Sequence, residues 1–79
     1  MRDLIAYITK ALVANPDEVE VTEIEGSSTS VIEVKVADSD LGKVIGKQGR
    51  TVRAMRTLLS AAATRRNRRA ILEIVDGRD

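Results

Sequence analysis

The sequence predicts an α+β fold, a two-layer sandwich in which three helices cover one side of a three-stranded sheet. Apolar residues recur at helical spacing in two segments and alternate with polar residues in three others, and a short helix is expected before the second helical segment. These segments follow one another in the order α-β-β-α-α-β. With 79 residues and no linker-like stretch, the chain is predicted to form a single domain over 1–79, in which 76–79 is a short tail.

The amino-terminal half predicts one helix and a hairpin. Residues 3–14 place apolar side chains on one helical face, namely Leu4, Ile5, Ile8, Ala11 and Leu12. Pro16 disfavours helical geometry at the residue before it, and the helix is therefore expected to end there. Residues 18–25 and 30–37 each alternate apolar with polar residues, and the short Gly/Ser turn between them predicts two paired strands.

The carboxy-terminal half predicts two helices and a last strand. Side-chain oxygens in the range Asp38–Asp40 suit the cap of a short helix over about 41–45. A longer helix is predicted over about 50–64, with a core-facing stripe formed by Val52, Met55, Leu58, Leu59 and Ala62. Residues 69–75 alternate again and predict the third strand.

Composition excludes several classes of function. The chain has no cysteine and no histidine, which removes disulfides, thiolate and imidazole metal sites, and the commonest general base. No nucleophile–base pair can be assembled from the remaining residues, so we expect neither an enzyme nor a cofactor. No apolar run approaches the ~20 residues that span a bilayer. The charged amino terminus also lacks a signal-peptide core, so we expect a cytoplasmic protein without membrane contact.

Charge is separated along the chain, although the net charge is only +1. Between Asp17 and Asp40 there are eight acids and one base, whereas between Lys43 and Arg69 there are nine bases and no acid. This basic segment predicts a binding surface for a polyanion. Residues 65–69, which hold four of the arginines, either extend that surface or form a solvated helix end, and the pattern does not distinguish the two.

The segment between the last two helices carries the most specific pattern, Val44-Ile45-Gly46-Lys47-Gln48-Gly49-Arg50-Thr51-Val52. Two glycines three residues apart permit a tight turn and let the backbone of another chain approach closely. The second glycine precedes a long helix, whose free N–H groups and positive dipole end attract phosphate. These features predict a site for a single-stranded nucleic acid.

The predicted site comprises Lys43, Val44, Ile45, Gly46, Lys47, Gln48, Gly49, Arg50 and Arg53. Lys47 and Gln48 occupy the tip of the turn, where they offer a charge and amide donors. Val44 and Ile45 are expected to form an apolar wall for unstacked bases, and the remaining basic residues flank the turn.

Other interpretations of the glycines fit less well. A nucleotide-binding P-loop needs four residues between its glycines and Ser or Thr after the lysine, but here Gln48 follows Lys47 and only three residues separate Gly42 from Gly46. A helix-turn-helix that binds duplex DNA also uses a tight turn, and it stays open as an alternative. Modules that stack bases mainly on aromatic rings are excluded, because the chain has one Tyr and no Phe or Trp.

The pattern Val-Ile-Gly-x-x-Gly-x-x-Val between two helices resembles the signature of K-homology (KH) domains. The element order is similar to the type II KH arrangement, which has a mixed three-stranded sheet. A free-standing type II KH domain of this length looks like the bacterial KH domain protein A family (KhpA, also called YlqC). The resemblance covers essentially the whole chain and is most specific over 40–51, although Val52 stands where many members carry Ile.

This resemblance implies a function and partners. In KH domains the loop matching Gly46 to Gly49 clamps the backbone of about four nucleotides. The resemblance implies a cytoplasmic single-stranded RNA-binding protein, an RNA chaperone or regulator linked to cell elongation and division in some bacteria. It also implies a homodimer or a second KH protein of the KhpB type (Jag, EloR) as partner. The alternative of a protein-interaction subunit that acts through such a partner, with a vestigial grip on RNA, stays open.

Overall fold

The computed structural model describes residues 1–75 and has two layers, with helices packed against one face of a three-stranded sheet. The elements are α1 (Arg2–Leu12), β1 (Glu20–Glu25), β2 (Thr29–Lys35), α2 (Leu41–Ile45), α3 (Arg50–Arg65) and β3 (Arg69–Val75). Single 3-10 turns occur at Pro16–Glu18, Asp38–Asp40 and Lys47–Gly49. The predicted fold class and element order are confirmed. The predicted tail, 76–79, lies outside the described residues.

The sheet is mixed, as the resemblance implied, and β2 is its central strand. β1 pairs with β2 in antiparallel register, with Glu20 opposite Lys35. β3 pairs with the other edge of β2 in parallel register, with Thr29 opposite Arg69. Parallel neighbours need a crossover between them, and α2 and α3 supply it. The predicted glycine loop therefore lies within the crossover, between its two helices.

The core lies between the sheet and the helices. Ile32, Val34 and Val36 point inward at every second position and are at most 3% exposed. The buried cluster consists of Ile5, Ile32, Val34, Val36, Val44, Val52, Met55, Leu59 and Leu72. Because β1 adds only partly buried residues such as Val21 to this cluster, the core is centred under β2 and β3.

The buried face of α3 differs from the predicted stripe at Leu58. Leu58 is 51% exposed, whereas Met55, Leu59 and Ala63 are buried. Adjacent residues in an α-helix are rotated by about 100°, so a helix that buries Leu59 turns Leu58 aside. The sequence pattern allowed either leucine to lead the stripe, and the contact with the sheet selects Leu59.

The buried face of α1 is also rotated from the prediction. Ile5 and Thr9 are fully buried, while Leu4 and Leu12 are each 38% exposed. The helix ends at Leu12, two residues before the predicted end. Thr9 takes a core position that the apolar pattern assigned to neighbouring residues. The pattern records which residues are hydrophobic, but it does not show which side of the helix faces the sheet.

Candidate nucleic-acid interface

The glycine loop, residues 46–49, is one tight turn between α2 and α3. The Gly46 N–H donates to the Gly42 carbonyl at 2.8 Å, and the Gly49 N–H donates to the Gly46 carbonyl at 3.1 Å. Positive φ angles occur at Gly46 (77°), Gln48 (57°) and Gly49 (73°). Three such residues in a stretch of four reverse the chain quickly, so that α3 begins at Arg50.

The two glycines of the loop meet different surroundings. A β-carbon at Gly46 would lie 2.7 Å from the Thr51 β-carbon and 2.9 Å from the Thr51 backbone nitrogen. Gly46 is therefore required by internal packing against Thr51. A β-carbon at Gly49 would have nothing within 4 Å. Gly49 leaves the start of α3 bare, which is the condition for close approach of another backbone.

The tip of the loop is accessible. Lys47 and Gln48 are exposed, and the two glycines are partly buried. No side chain caps the amino terminus of the 16-residue helix α3. The Arg50 N–H donates to the Lys47 carbonyl, and the positive end of the helix dipole favours an anion at this point. Arg50 and Arg53 are also exposed, and the Arg53 Nη2 donates to the Gln48 carbonyl at 3.5 Å. The structure thus brings these four predicted side chains together around one helix start.

Val44 does not form the predicted wall for bases. Its side chain is fully buried in the core. Val44 therefore anchors α2 to the core and cannot contact a ligand. Ile45 is 37% exposed and remains the apolar surface beside the loop. The prediction failed for Val44 because a five-residue helix packed against α3 and α1 turns one apolar side chain into the core.

Lys43 is held by Asp40. The Lys43 ammonium lies 3.4 Å from the Asp40 carboxylate, and the Lys43 side chain is 52% exposed. This ion pair fixes the direction of Lys43 on α2, next to the glycine loop. The ammonium still faces solvent on its other side, so it can contribute positive charge to the surface around the loop.

Asp40 does not act as the predicted cap, since its side chain makes no cap hydrogen bond to α2. Its buried carboxylate instead accepts hydrogen bonds from the backbone N–H groups of Ala14 and Asn15 at 3.1 and 3.0 Å, and from the Asn15 amide at 3.1 Å. Burial raises the pKa of Asp40, but these hydrogen bonds and Lys43 outweigh it and lower the pKa below its usual value. The carboxylate therefore ties the segment after α1 to the start of α2.

An open groove between α3 and the outer edge of β3 was not predicted from the sequence. Its volume is about 490 Å³, and it is lined by Arg56, Leu59, Ser60, Ala63, Thr64, Arg68, Arg69, Ala70, Ile71 and Leu72. The polar side of α3 that borders it repeats every four residues, at Arg56, Ser60 and Thr64. This repeat was the signal in the sequence, but only the position of β3 turns a polar helix flank into a groove.

The arginines of residues 65–69 do not share one role. Arg65, Arg66 and Arg69 are exposed, and Arg69 lines the groove. Arg68 is partly buried and donates hydrogen bonds to carbonyls in the turn between β1 and β2 and to the Ser30 hydroxyl of β2. The Arg68 guanidinium is therefore engaged inside the fold, whereas the other three arginines are exposed.

Residues 1–75 contain neither a cluster of metal-binding side chains nor a helix that could cross a membrane. Within 1–75, no group of three or more acidic, histidine or cysteine residues is placed to hold a metal ion. None of the helices in the same range combines the length and hydropathy that a membrane crossing requires.

Comparison with known proteins places the fold and loop in a family. The family model described as "KhpA/KhpB, KH domain" matches residues 2–74. The chain belongs to the KhpA/KhpB family of KH domains. The helices and the mixed sheet form the type II KH fold, and the family that the sequence pattern suggested is confirmed.

Relatives in the KhpA/KhpB family are similar to the chain over almost their whole length. The RNA-binding protein KhpA of Caldanaerobacter subterraneus subsp. tengcongensis is 56% identical over 75 residues, which cover 95% of this chain and 100% of that protein. The protein of the same name from Clostridium acetobutylicum is 49% identical with the same coverage. The one from Borreliella burgdorferi is 50% identical over 74 residues, covering 94% of this chain and 90% of that protein. No solved structure matches the chain.

Proposed function

We propose that the chain binds single-stranded RNA, gripping the backbone at the glycine loop and receiving bases in the groove between α3 and β3. The observation that carries this proposal is the bare surface at Gly49, where a β-carbon would meet nothing within 4 Å. That surface adjoins the uncapped start of α3. A phosphate placed there meets the positive end of the helix dipole. The names of the KhpA relatives support RNA as the ligand.

The arrangement of charge favours one path for the strand. Lys47, Arg50 and Arg53 surround the loop, and Arg56 and Arg69 line the groove. The acids of the hairpin formed by β1 and β2 lie in other elements, and they repel a polyanion from that side. A strand entering at the loop is therefore directed along the basic flank of α3. Bases rest on aliphatic surface there, since the one aromatic residue of the chain, Tyr7, lies on α1.

A single clamp of this size is expected to bind weakly. We propose that the chain acts in the cytoplasm as an RNA chaperone or post-transcriptional regulator, and that a second KH module adds affinity through effective concentration. The second module is another copy of the chain, in a homodimer, or a KH protein of the KhpB type. The family description, which covers both KhpA and KhpB, supports the second of these partners.

The test replaces both residues at the tip of the loop, Lys47→Asp together with Gln48→Asp. Aspartate tolerates the left-handed backbone of position 48, so the fold is expected to survive, as checked by circular dichroism. The new carboxylates face phosphate, and we expect single-stranded RNA to bind at least about tenfold more weakly in fluorescence polarisation.

A matched control carries the same change in charge elsewhere. Lys10→Asp with Thr22→Asp alters two exposed residues on α1 and β1, and it should bind RNA nearly as the wild type does. Equal loss in both variants would show that only net charge matters, and retained binding in the loop variant would remove the loop from the site. Competition with duplex DNA tests the helix-turn-helix alternative, which requires that the duplex win.

A further inference from the structure

Arg68 is bound within the fold by its whole guanidinium group. Its Nε and Nη2 donate to the Ser30 hydroxyl at 3.3 and 3.0 Å. Its Nη2 also donates to the Gly26 carbonyl at 2.9 Å, and its Nη1 donates to the Ser27 carbonyl at 3.3 Å. The two Nη atoms therefore bind the turn between β1 and β2, and Nε binds the start of β2. Ser30 is fully buried. If Arg68 were lost, no water could replace its hydrogen bonds to the Ser30 hydroxyl.

The backbone beside Arg68 makes the same connection. The Arg68 N–H donates to the Ala63 carbonyl at 2.9 Å, which closes the end of α3. The next N–H, that of Arg69, donates to the Ser28 carbonyl at 2.9 Å. Side chain and main chain together join the end of α3, the start of β3 and the hairpin turn.

These joined segments form one end of the groove. Ala63 and Thr64 line it from α3, and Arg69 and Ala70 line it from β3. The hydrogen bonds of Arg68 tie the start of β3 to the turn between β1 and β2 at this end of the groove. Arg68 and Arg69 both line the groove. The Arg68 guanidinium is engaged in the hydrogen bonds given above, whereas Arg69 is exposed, so its charge is available to a phosphate.

We propose that Arg68 is a positioning residue for the groove: it contributes to RNA binding by holding β3 against the hairpin turn, while Arg69 contacts the RNA backbone. This inference rests on the proposed function. Arg68 acts through hydrogen bonds that need a planar fork of donors, and a lysine cannot replace them. Arg69 acts through its charge.

The experiment compares Arg68→Gln with Arg69→Gln, which remove the same charge from adjacent residues. For each variant, affinity for a short single-stranded RNA is measured at several salt concentrations. Loss of a direct phosphate contact reduces the log–log salt slope by about 0.7 for a single strand. We expect that reduction for Arg69→Gln. For Arg68→Gln we expect roughly twofold to thirtyfold weaker binding, the range typical of indirect coupling, with the wild-type slope.

Two further variants keep the inference testable if Arg68→Gln folds poorly. Ser30→Ala removes two of the hydrogen bonds and leaves every charge in place, and Arg68→Lys keeps the charge but loses the fork. Both should weaken RNA binding at an unchanged slope. Combining Ser30→Ala with Arg68→Gln should add less than the sum of the two single effects, because both break the same contact. Faster amide exchange over 26–29 should accompany each of these variants.

The possible results separate the two proposals. Failure of the wild-type chain to bind RNA overturns the proposed function and this inference with it. If the wild type binds and Arg68→Gln lowers the salt slope as Arg69→Gln does, then Arg68 is a direct ligand and the inference is wrong. Wild-type affinity in both Arg68→Gln and Ser30→Ala would overturn it equally.

Discussion

A side chain at each of the two loop glycines is predicted to have a different effect: at Gly46 it lowers stability, and at Gly49 it lowers affinity for RNA. Gly46→Ala places a residue at φ 77° and ψ 171°, a region that costs a non-glycine residue about 1–3 kcal/mol. The new β-carbon also meets the Thr51 backbone nitrogen at 2.9 Å, and a backbone atom cannot rotate away. We expect a loss of about 3 kcal/mol in the free energy of unfolding, which lowers Tm by roughly 12–24 °C for a domain of this size.

A side chain at Gly49 should leave the domain folded but weaken its binding to RNA. Its backbone is left-handed, with φ 73° and ψ 15°, and Asn adopts this region, so Gly49→Asn should cost no more than about 1 kcal/mol. Nothing in the protein lies within 4 Å of the new β-carbon. The side chain enters the space assigned to the RNA backbone, and we expect binding to weaken although the domain stays folded.

Gly42→Ala provides the matched control. Gly42 lies inside α2 with nothing within 4 Å of a β-carbon, so alanine should stabilise the helix by roughly 0.5–1 kcal/mol. Thermal and urea unfolding followed by circular dichroism give the stability of the three variants, and polarisation gives their affinity for single-stranded RNA. The reasoning is refuted if Gly46→Ala melts no lower than Gly49→Asn. If Gly49→Asn binds RNA as tightly as the wild type, the RNA backbone does not lie against the open surface at Gly49.

Two further predictions concern stability. Since the folded pKa of Asp40 is lowered, its stabilising contribution is complete above its ordinary value of 3.8 and disappears as pH falls through the folded pKa. Unfolding measured between about pH 6 and pH 2 should therefore show Asp40→Asn well below the wild type at pH 6, with a gap that closes in acid; a constant gap would contradict this. Leu59→Ala should cost about 2–5 kcal/mol, and Leu58→Ala less than about 1 kcal/mol, in urea unfolding. Equal losses of stability in the two variants would mean that Leu58 belongs to the buried stripe, as periodicity predicted.

Much of the fold followed from local pattern. The alternation at 69–75 predicted β3 with its observed ends, and the spacing of the loop glycines marked the junction of α2 and α3. These features are readable in sequence because they depend on residues within one or two turns of each other. The family followed from the same stretch, since glycines and basic residues at fixed spacing around a helix start are a local pattern too.

The tertiary structure decided which side of each helix is buried. Two adjacent leucines, Leu58 and Leu59, are equivalent to a periodicity argument, and only contact with the sheet separates them. Val44 was predicted to contact the ligand but lies in the core. The five residues of α2 are too few for the sequence pattern to show which side of the helix is buried.

The sequence by itself determined the elements, their order and the position of the loop. Only the tertiary structure revealed the groove beside β3 and the different surroundings of Arg68 and Arg69. It also showed Asp40 binding the segment after α1 instead of capping α2. The physical reason is distance along the chain. Arg68 and its acceptor Ser30 are 38 positions apart, and Asp40 and Asn15 are 25 apart. No local pattern records a contact of that kind, because it forms only when the packed core brings the two segments together.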